Sequence, residues 1–302
     1  MSKIENVLVS IDFSEGSRAA LDYAVGLARK LGARLTALHV APPYVTYEPL
    51  PAFPPLAPLD PARRRALEES LRAFVTPPGS GQPLVEVFVA EGDPADEILA
   101  HAAASGADLI VLGTHGRRGF ERWVVGSVTE RVARKADRSV LAVPQKADAV
   151  AFSRVLCALD LSDASSETLA HGAEIAQALD AKLTVLYVAS DSHWYEPWPS
   201  SGVDQDAVRQ AVSQTVRKLL AEQVARYVPD RTPVELKVAF GRAHREIEQA
   251  AGEGADLVVL GASASSAVDR FFFGSTAQHV LRAGVCPVLL VRHAAASAET
   301  HP

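Results

Sequence analysis

The segment VLGTHGRRGFERWVVGSVTERV, residues 111–132, decides the fold. It starts as an apolar strand, breaks after Gly113 into a polar loop that contains Gly116, and continues with helical spacing from Gly126 and Ser127. A strand that leads through a glycine-containing loop into a helix is typical of α/β units, in which helices connect parallel strands. The segment therefore predicts a parallel sheet with crossover helices.

The same pattern returns 148 residues later in the chain. Asp12 in NVLVSIDFSEGS falls on Asp160 in RVLCALDLSDAS at this offset. The offset also relates these pairs: Val40 and Val188, Gly113 and Gly261, Gly126 and Gly274, and Ser127 and Ser275. A period of this length predicts a duplicated domain, because the repeats of a solenoid are much shorter. We expect two tandem domains, at residues 1–147 and 152–296.

Each copy is predicted to be a doubly wound α/β domain, in which helices flank a five-stranded parallel sheet. Short apolar strands such as VLVSID and ADLIVLG alternate with helices, as in a parallel sheet that is covered on both faces. Ser14 is expected to cap the first helix, and Gly32 to end it. Asp12, Val40 and Gly113 fall at carboxyl ends of predicted strands, where such sheets bind ligands.

The glycine loop has the chemistry of an anion site. Glycine lets backbone N–H groups approach a ligand closely, and the first N–H groups of a helix that begins at Ser127 lack partners within the helix. The hydroxyls of Ser127 and Thr129 and the charges of Arg117 and Arg118 would add to that site. A phosphate chain is the most natural occupant. The alternative is that these glycines only shape the crossover, and neither a P-loop nor a GxGxxG motif after the first strand is present.

The spacing Gly113-x2-Gly116-x9-Gly126-Ser127 resembles the nucleotide-binding signature of the universal stress protein family. The resemblance covers nearly the whole chain and implies a tandem member with a Rossmann-like fold of the HUP type. It also implies that the first domain binds ATP with Mg²⁺ or Mn²⁺, with Asp12 and Val40 at the nucleoside and the glycine loop at ribose and phosphates. The nucleotide-binding candidates are Ser10, Ile11, Asp12, Val40, Leu112, Gly113, His115, Gly116, Arg117, Gly126, Ser127, Val128 and Thr129.

The two copies are not equivalent. Ala264 stands at the position of Gly116, and Ser265 and Ser266 replace the two arginines. An alanine Cβ is unfavourable wherever the backbone needs a positive φ or a close approach to phosphate. We therefore expect the first domain to be the nucleotide sensor and the second to have a degenerate motif. The weaker candidates in the second domain are Asp160, Val188, Gly261, Gly274, Ser275 and Thr276.

Composition excludes several classes of function. The net charge of −6 gives no general attraction to nucleic acid or to a membrane surface. No apolar run approaches the roughly 20 residues that span a bilayer. The first residues do not resemble a signal peptide, and two cysteines do not form a disulfide framework. The sequence therefore predicts a cytoplasmic protein without a dedicated metal site.

The expected function is a nucleotide-dependent switch that acts on an unknown protein partner in a stress response. Two alternatives stay open: slow ATP hydrolysis that uses His115 or a metal-bound water, and an ATP-independent interaction scaffold. Enzyme activity is expected to be absent or weak, because no catalytic constellation is present. The resemblance also implies pairing of the last strands, Ser139–Val143 and Pro287–Val291, as a pseudo-dimer within one chain, and a homodimer is a further alternative.

Overall fold

The computed structural model describes residues 4–42, 59–76, 85–114, 125–147, 152–190, 205–262 and 274–292. The chain divides into two compact units, residues 1–152 with 281–288 and residues 153–280 with 289–302. We call the two copies of the sequence duplication, up to residue 152 and from residue 153 onward, the first and the second repeat. No helix within the described ranges is long and apolar enough to cross a membrane.

The first repeat alternates strands and helices throughout. Its elements are β1 (Asn6–Ser10), α1 (Glu15–Leu31), β2 (Arg34–Ala41), α2 (Pro61–Val75), β3 (Val85–Glu91), α3 (Pro94–Ser105), β4 (Leu109–Gly113), α4 (Ser127–Lys135) and β5 (Ser139–Val143). The strands are ordered β3-β2-β1-β4-β5, and each neighbouring pair is parallel. This arrangement confirms the predicted five-stranded, doubly wound α/β sheet.

The second repeat has the same order of elements. They are β6 (Arg154–Leu159), α5 (Ser165–Leu179), β7 (Lys182–Ala189), α6 (Gln205–Tyr227), β8 (Val234–Phe240), α7 (Ala243–Gly252), β9 (Leu257–Gly261), α8 (Ser275–Ala283) and β10 (Val288–Val291). The strand order is β8-β7-β6-β9-β10, which reproduces that of the first repeat. The fold class of the second copy is therefore also confirmed.

The core of the first repeat lies where α1 covers β1 and β4. The strand residues Val9 and Val111 are fully buried, as are Leu21, Ala24 and Ala28 on one face of the helix. The alanines let the helix approach the sheet closely. Burial of one leucine side chain contributes about 1.5–3 kcal/mol, so this layer supplies a large part of the stability that holds β1 beside β4.

The ends of α1 follow from single residues. The Oγ of Ser14 accepts a hydrogen bond of 3.1 Å from the backbone N–H of Ser17, and Gly32 has the left-handed φ of 67° that ends the helix. Both roles were predicted. In the second repeat, Asp180 occupies the position of Gly32 with a φ of 55°. A residue with a Cβ pays about 1–2 kcal/mol in this conformation, so the end of α5 is locally strained.

We expect Asp180→Gly to stabilise the protein by up to about 1 kcal/mol, because glycine removes the strain but also adds entropy to the unfolded chain. The matched variant Gly32→Ala should destabilise it by about 1 kcal/mol; an added Cβ there meets no atom within 4 Å, so only backbone strain is introduced. Urea unfolding followed by circular dichroism measures both changes. A loss of stability in Asp180→Gly would contradict this account.

A histidine near the edge strand β3 predicts a pH effect. The ring of His101 lies 4.8 Å from that of Phe88, and its Nε2 is buried with no hydrogen-bond partner among the described residues. Burial lowers the pKa of His101 below its ordinary value of 6.5, against the opposing effect of Glu97. Below pH 6.5 the unfolded chain therefore binds a proton that the folded protein resists, and stability falls.

We expect wild type to lose more stability than His101→Leu when the pH falls from about 8 to about 5, because leucine can pack against Phe88 but cannot bind a proton. Urea unfolding of both proteins across this range provides the comparison. Equal losses in the two proteins would show that His101 does not couple folding to pH.

Candidate functional site

The candidate site lies at the switch point of the first repeat. In the order β3-β2-β1-β4-β5, the chain moves outward in one direction from β1 and in the other from β4, and their carboxyl ends are adjacent. Val9 is paired with Val111, so Ser10 and Leu112 follow side by side. On the other side of β1, Ile11 extends the pairing with β2 by donating its N–H to the carbonyl of Leu38 at 2.8 Å. Such switch points are the usual ligand-binding edge of doubly wound sheets.

The carboxylate of Asp12 is held in place at this edge. Its Oδ1 accepts hydrogen bonds from the N–H and the Oγ of Ser14, at 3.0 and 2.6 Å. The next residue, Phe13, has a φ of 65°, which is a strained conformation for a bulky side chain. Because Ser14 also caps α1, one serine fixes both the start of the helix and the direction of the Asp12 carboxylate.

Aromatic side chains that the sequence analysis did not single out cluster around Phe13, the residue after Asp12. The ring of Phe13 lies 4.6 Å from that of His39 and 5.5 Å from that of Phe74, and the guanidinium of Arg18 stacks 3.7 Å above Phe74. His39 is buried, and its Nδ1 lies 2.7 Å from the carbonyl oxygen of Ile11. No signal in the sequence could have joined these residues, because they come from four different segments of the chain.

Gly113 is required by packing. A Cβ on this residue would lie 2.7 Å from both the carbonyl carbon and the carbonyl oxygen of Gly16 in α1, and 3.2 Å from the nitrogen of Ser17. All three atoms belong to the backbone and cannot move aside. The bare backbone at Gly113 therefore lets the first turn of α1 approach the end of β4.

Backbone hydrogen bonds bring the two ends of the glycine loop together. Thr114 donates its N–H to the carbonyl of Val143, and Gly126 donates its N–H to the carbonyl of Thr114, at 2.9 and 2.7 Å. The hydroxyl of Thr129, only 3% exposed, donates to the carbonyl of Gly113 at 2.7 Å. In this structure Thr129 therefore ties α4 to β4, and its contact with phosphate stays a prediction. The candidates His115, Gly116 and Arg117 lie outside the described residues.

The amino terminus of α4 is unlike those of the other helices in the first repeat. Side chains of Ser14, Asp60 and Asp93 cap α1, α2 and α3, whereas Gly126 precedes α4 and makes no side-chain cap. The backbone of Gly126, with φ −57° and ψ 140°, has the extended conformation of a normal cap residue. The described residues give the first N–H groups of α4, those of Ser127 and Val128, no side-chain cap, and the helix dipole favours an anion beside them.

The remaining candidates of the first repeat occupy supporting positions. Val40 lies in β2 with 7% exposure and pairs with Ala90, and Leu112 is buried in β4. Ser10, at the end of β1, is half-buried. Glu130, in the first turn of α4, forms an ion pair of 2.8 Å with Arg134. An acid at this helix end is therefore neutralised by a base one turn later.

The equivalent edge of the second repeat keeps part of this geometry. Leu161 repeats the left-handed φ of Phe13, at 59°, and Asp160 is held by Ser162 as Asp12 is held by Ser14. The Oγ of Ser165 adds a third bond to the same carboxylate oxygen, at 2.7 Å, whereas the equivalent Ser17 donates its hydroxyl to the carbonyl of Ser14.

Hydrogen bonding to the aspartate and to the last helix also distinguishes the second repeat from the first. Burial alone would raise the pKa of Asp160, but the bonds from Ser162 and Ser165 outweigh burial and hold the pKa below its ordinary value. Ala277 replaces Thr129, so the hydroxyl bond that ties α4 to β4 has no counterpart. The other candidates are Val188 in β7, Gly261 at the end of β9, Gly274 just before α8, and Ser275 and Thr276 in its first turn.

Comparison with known proteins identifies relatives for both repeats. Universal stress protein YxiE of Bacillus subtilis is 35% identical over 143 residues, which cover 45% of this chain and 97% of YxiE. A universal stress protein of Mycolicibacterium smegmatis is 27% identical over 300 residues, or 95% of this chain and 96% of the relative. The crystal structure of a universal stress protein from Archaeoglobus fulgidus aligns with a TM-score of 0.67 and 20% identity, over 97% of this chain and 100% of that one, which shows a common fold.

The model of the universal stress protein family matches the chain twice, over residues 3–144 and 151–292. The two matches coincide with the two copies of the duplication and together span most of the chain. The order of the strands in the sheet is the same in both copies. The chain therefore belongs to the universal stress protein family, as a member with two family domains in tandem.

Proposed function

We propose that the first repeat binds ATP at the carboxyl edge of β1 and β4, and that the bound or empty state acts as a switch on a protein partner. The observation that carries this proposal is the start of α4, which has no side-chain cap from Gly126 and is tied to the end of β4, the strand next to the one that leads to Asp12. Three other helices of the repeat have their first N–H groups satisfied by side chains. The helix that follows the glycine loop is the exception, as an anion-binding helix requires.

The proposal gives each described residue a definite task. Asp12 accepts hydrogen bonds from the nucleoside through its carboxylate, whose orientation Ser14 fixes. Val40 contributes an apolar contact to the base. The N–H groups of Ser127 and Val128, with the hydroxyl of Ser127, donate to phosphate oxygens. Gly126 uses its own N–H on Thr114 and contributes by having no side chain in the way.

A divalent cation would enter with the nucleotide. Mg²⁺ or Mn²⁺ neutralises phosphate charge when it is bound. Within the described ranges, no group of three or more histidine, cysteine, aspartate or glutamate side chains is placed to hold a metal ion. The proposed cation is therefore coordinated by phosphate oxygens and water, as is usual for magnesium bound with a nucleotide.

The second repeat is proposed to play a different part. Its Asp160 already accepts three hydrogen bonds from its own loop, and the sequence replaces both arginines of the first loop with serines. We therefore assign one nucleotide to each chain. The pairing of residues 139–143 with residues 287–291, and the formation of a homodimer, remain predictions of the family resemblance.

We expect Gly126→Asp to abolish ATP binding without loss of stability. The backbone at Gly126 matches the cap residues Asp60 and Asp93, whose φ and ψ are −65° and 153°, and −72° and 124°. An aspartate there would cap α4, which is worth about 1 kcal/mol, and would place a carboxylate where the phosphates bind. Calorimetric titration with ATP and Mg²⁺, together with urea unfolding, measures both effects.

Gly274→Asp is the matched control, because it introduces the same charge at the equivalent position of the second repeat. It should leave the affinity and the stoichiometry of about one ATP per chain unchanged. Loss of ATP binding in both variants would assign the effect to net charge or to the second repeat. Unchanged ATP binding in a folded Gly126→Asp protein would remove α4 from the site.

The switch itself predicts ATP-dependent capture of a partner. Immobilised wild type should retain a different set of proteins from a cell lysate with ATP than without it, because a ligand shifts a conformational equilibrium only through differential affinity. Gly126→Asp should retain the same set under both conditions. A partner set that is independent of ATP in wild type would favour the scaffold function.

A further inference from the structure

In the first repeat, ion pairs join carboxylates at the start of α3 to bases on α4. The Oδ1 of Asp93 accepts from the N–H groups of Ala95 and Asp96 at 3.0 and 3.3 Å, and its Oδ2 lies 2.8 Å from Arg131 on α4. Asp96 is 3.2 Å from both Arg131 and Lys135. The hydrogen bond from Arg131 lowers the pKa of Asp93, and both aspartates lie within ion-pair distance of bases on α4.

The second repeat has the opposite charges at the same positions. Arg242 stands where Asp93 stands, three residues before Arg245 in the place of Asp96. On α8, His279 replaces Arg131, and the counterpart of Lys135 is Ala283. Arg242 is the cap residue of α7 and makes no capping bond with its side chain. Bases therefore replace the two acids of the first repeat. The two bases of α4 are not replaced by acids in α8.

The resulting surface is a patch with two exposed arginines, Arg242 and Arg245, beside the rings of His244 and His279. The rings of His244 and His279 stack at 4.5 Å with an angle of 25°, so α7 and α8 meet there without an ion pair. Both arginines are exposed, and neither forms an ion pair with any residue that the structure describes.

Two acids on the same helix, Glu246 and Glu248, form no ion pair with these arginines among the described residues. The carboxylate of Glu246 lies against Gly241, where an added Cβ would be 2.8 Å from its Oε1, and the equivalent Glu97 lies against Gly92 in the same way in the first repeat. Glu248 is half-buried one turn after His244. Since the whole chain carries a net charge of −6, a cluster of bases at one helix end gives a strong local contrast.

We propose that this patch is a docking surface for an acidic segment of a protein partner. The first repeat shows a contact of this kind within one chain. There the carboxylate of Asp93 lies at the start of α3 and contacts Arg131, the residue equivalent to His279. In the second repeat, carboxylates from the partner pair with Arg242 and Arg245, which stand at the positions of Asp93 and Asp96. Arginine forks bind carboxylates in a bidentate manner, and the uncapped start of α7 adds N–H donors.

This docking surface is separate from the proposed nucleotide site. It lies on the second repeat, in which we assign no ATP, and it would survive the failure of that assignment. In the two proposals together, the first repeat binds nucleotide and the second repeat binds a protein partner. Nucleic acid is disfavoured as the occupant, because the rest of the chain repels a long polyanion.

The test is binding of a dye-labelled oligoglutamate peptide to the full chain, followed by fluorescence anisotropy at low salt. Wild type should bind the peptide, and Arg242→Asp combined with Arg245→Asp should weaken binding at least about tenfold, since two charge-assisted contacts are lost. The double variant also restores the capping carboxylate of the first repeat, so it should fold. Absence of binding to wild type would overturn the proposal.

A control with the same change of net charge separates a local surface from general attraction. Lys218→Asp combined with Arg231→Asp alters two exposed bases elsewhere in the second repeat and should leave the affinity unchanged. An equal loss in both double variants would overturn the proposal, as would tighter binding of a short oligonucleotide than of the peptide. Retention of peptide binding by Gly126→Asp would show that this surface works independently of the nucleotide site.

Discussion

The backbone contact between Gly113 and Gly16 is the constraint on which the candidate site depends. Two glycines meet with no room for a Cβ, and this brings the first turn of α1 against the end of β4. The turn that follows β1 is thereby drawn to the same place, with Ser14 capping the helix and fixing Asp12. The uncapped start of α4 is joined to this point through Thr129 and the carbonyl of Gly113. A ligand-binding edge thus arises from packing before any ligand is considered.

The two repeats show how one fold can diverge in charge while it keeps its geometry. The sheet order, the strained residue after the first aspartate and the glycine against Glu97 or Glu246 are common to both. The differences are in side chains that touch few neighbours and can change without loss of the core. At the α7–α8 contact, bases replace acids, and stacked histidines replace ion pairs. Surface ion pairs contribute little to stability, so such positions are free to acquire new partners.

Much of the fold could be predicted from the sequence because the patterns are local. The apolar runs, the cap at Ser14 and the helix end at Gly32 each follow from a few consecutive residues, and the apolar runs recur in the second copy. The aromatic group of Phe13, His39 and Phe74 could not be predicted, because it depends on the packing of three elements that are distant in sequence.

The role of Gly113 was only partly accessible from the sequence. A glycine at the end of a strand can make room either for a ligand or for a helix that packs against the backbone. Only the structure shows that the neighbour of Gly113 is Gly16 in α1. Thr129 gives a similar lesson. A hydroxyl in the first turn of a helix can serve phosphate or the fold, and here it donates to the carbonyl of Gly113. Local spacing identifies the residues of a site, and packing decides what each of their atoms is free to do.

The most direct test of the account is the response of individual backbone amides to ligand, observed by nuclear magnetic resonance of ¹⁵N-labelled protein. The amides of Ser127 and Val128 should shift strongly on addition of ATP with Mg²⁺ and only weakly with adenosine, which has no phosphates to reach α4. The amides of Ser275 and Thr276 should not respond to either ligand. Saturating ATP that leaves Ser127 and Val128 unmoved, or that moves both pairs equally, would contradict the account.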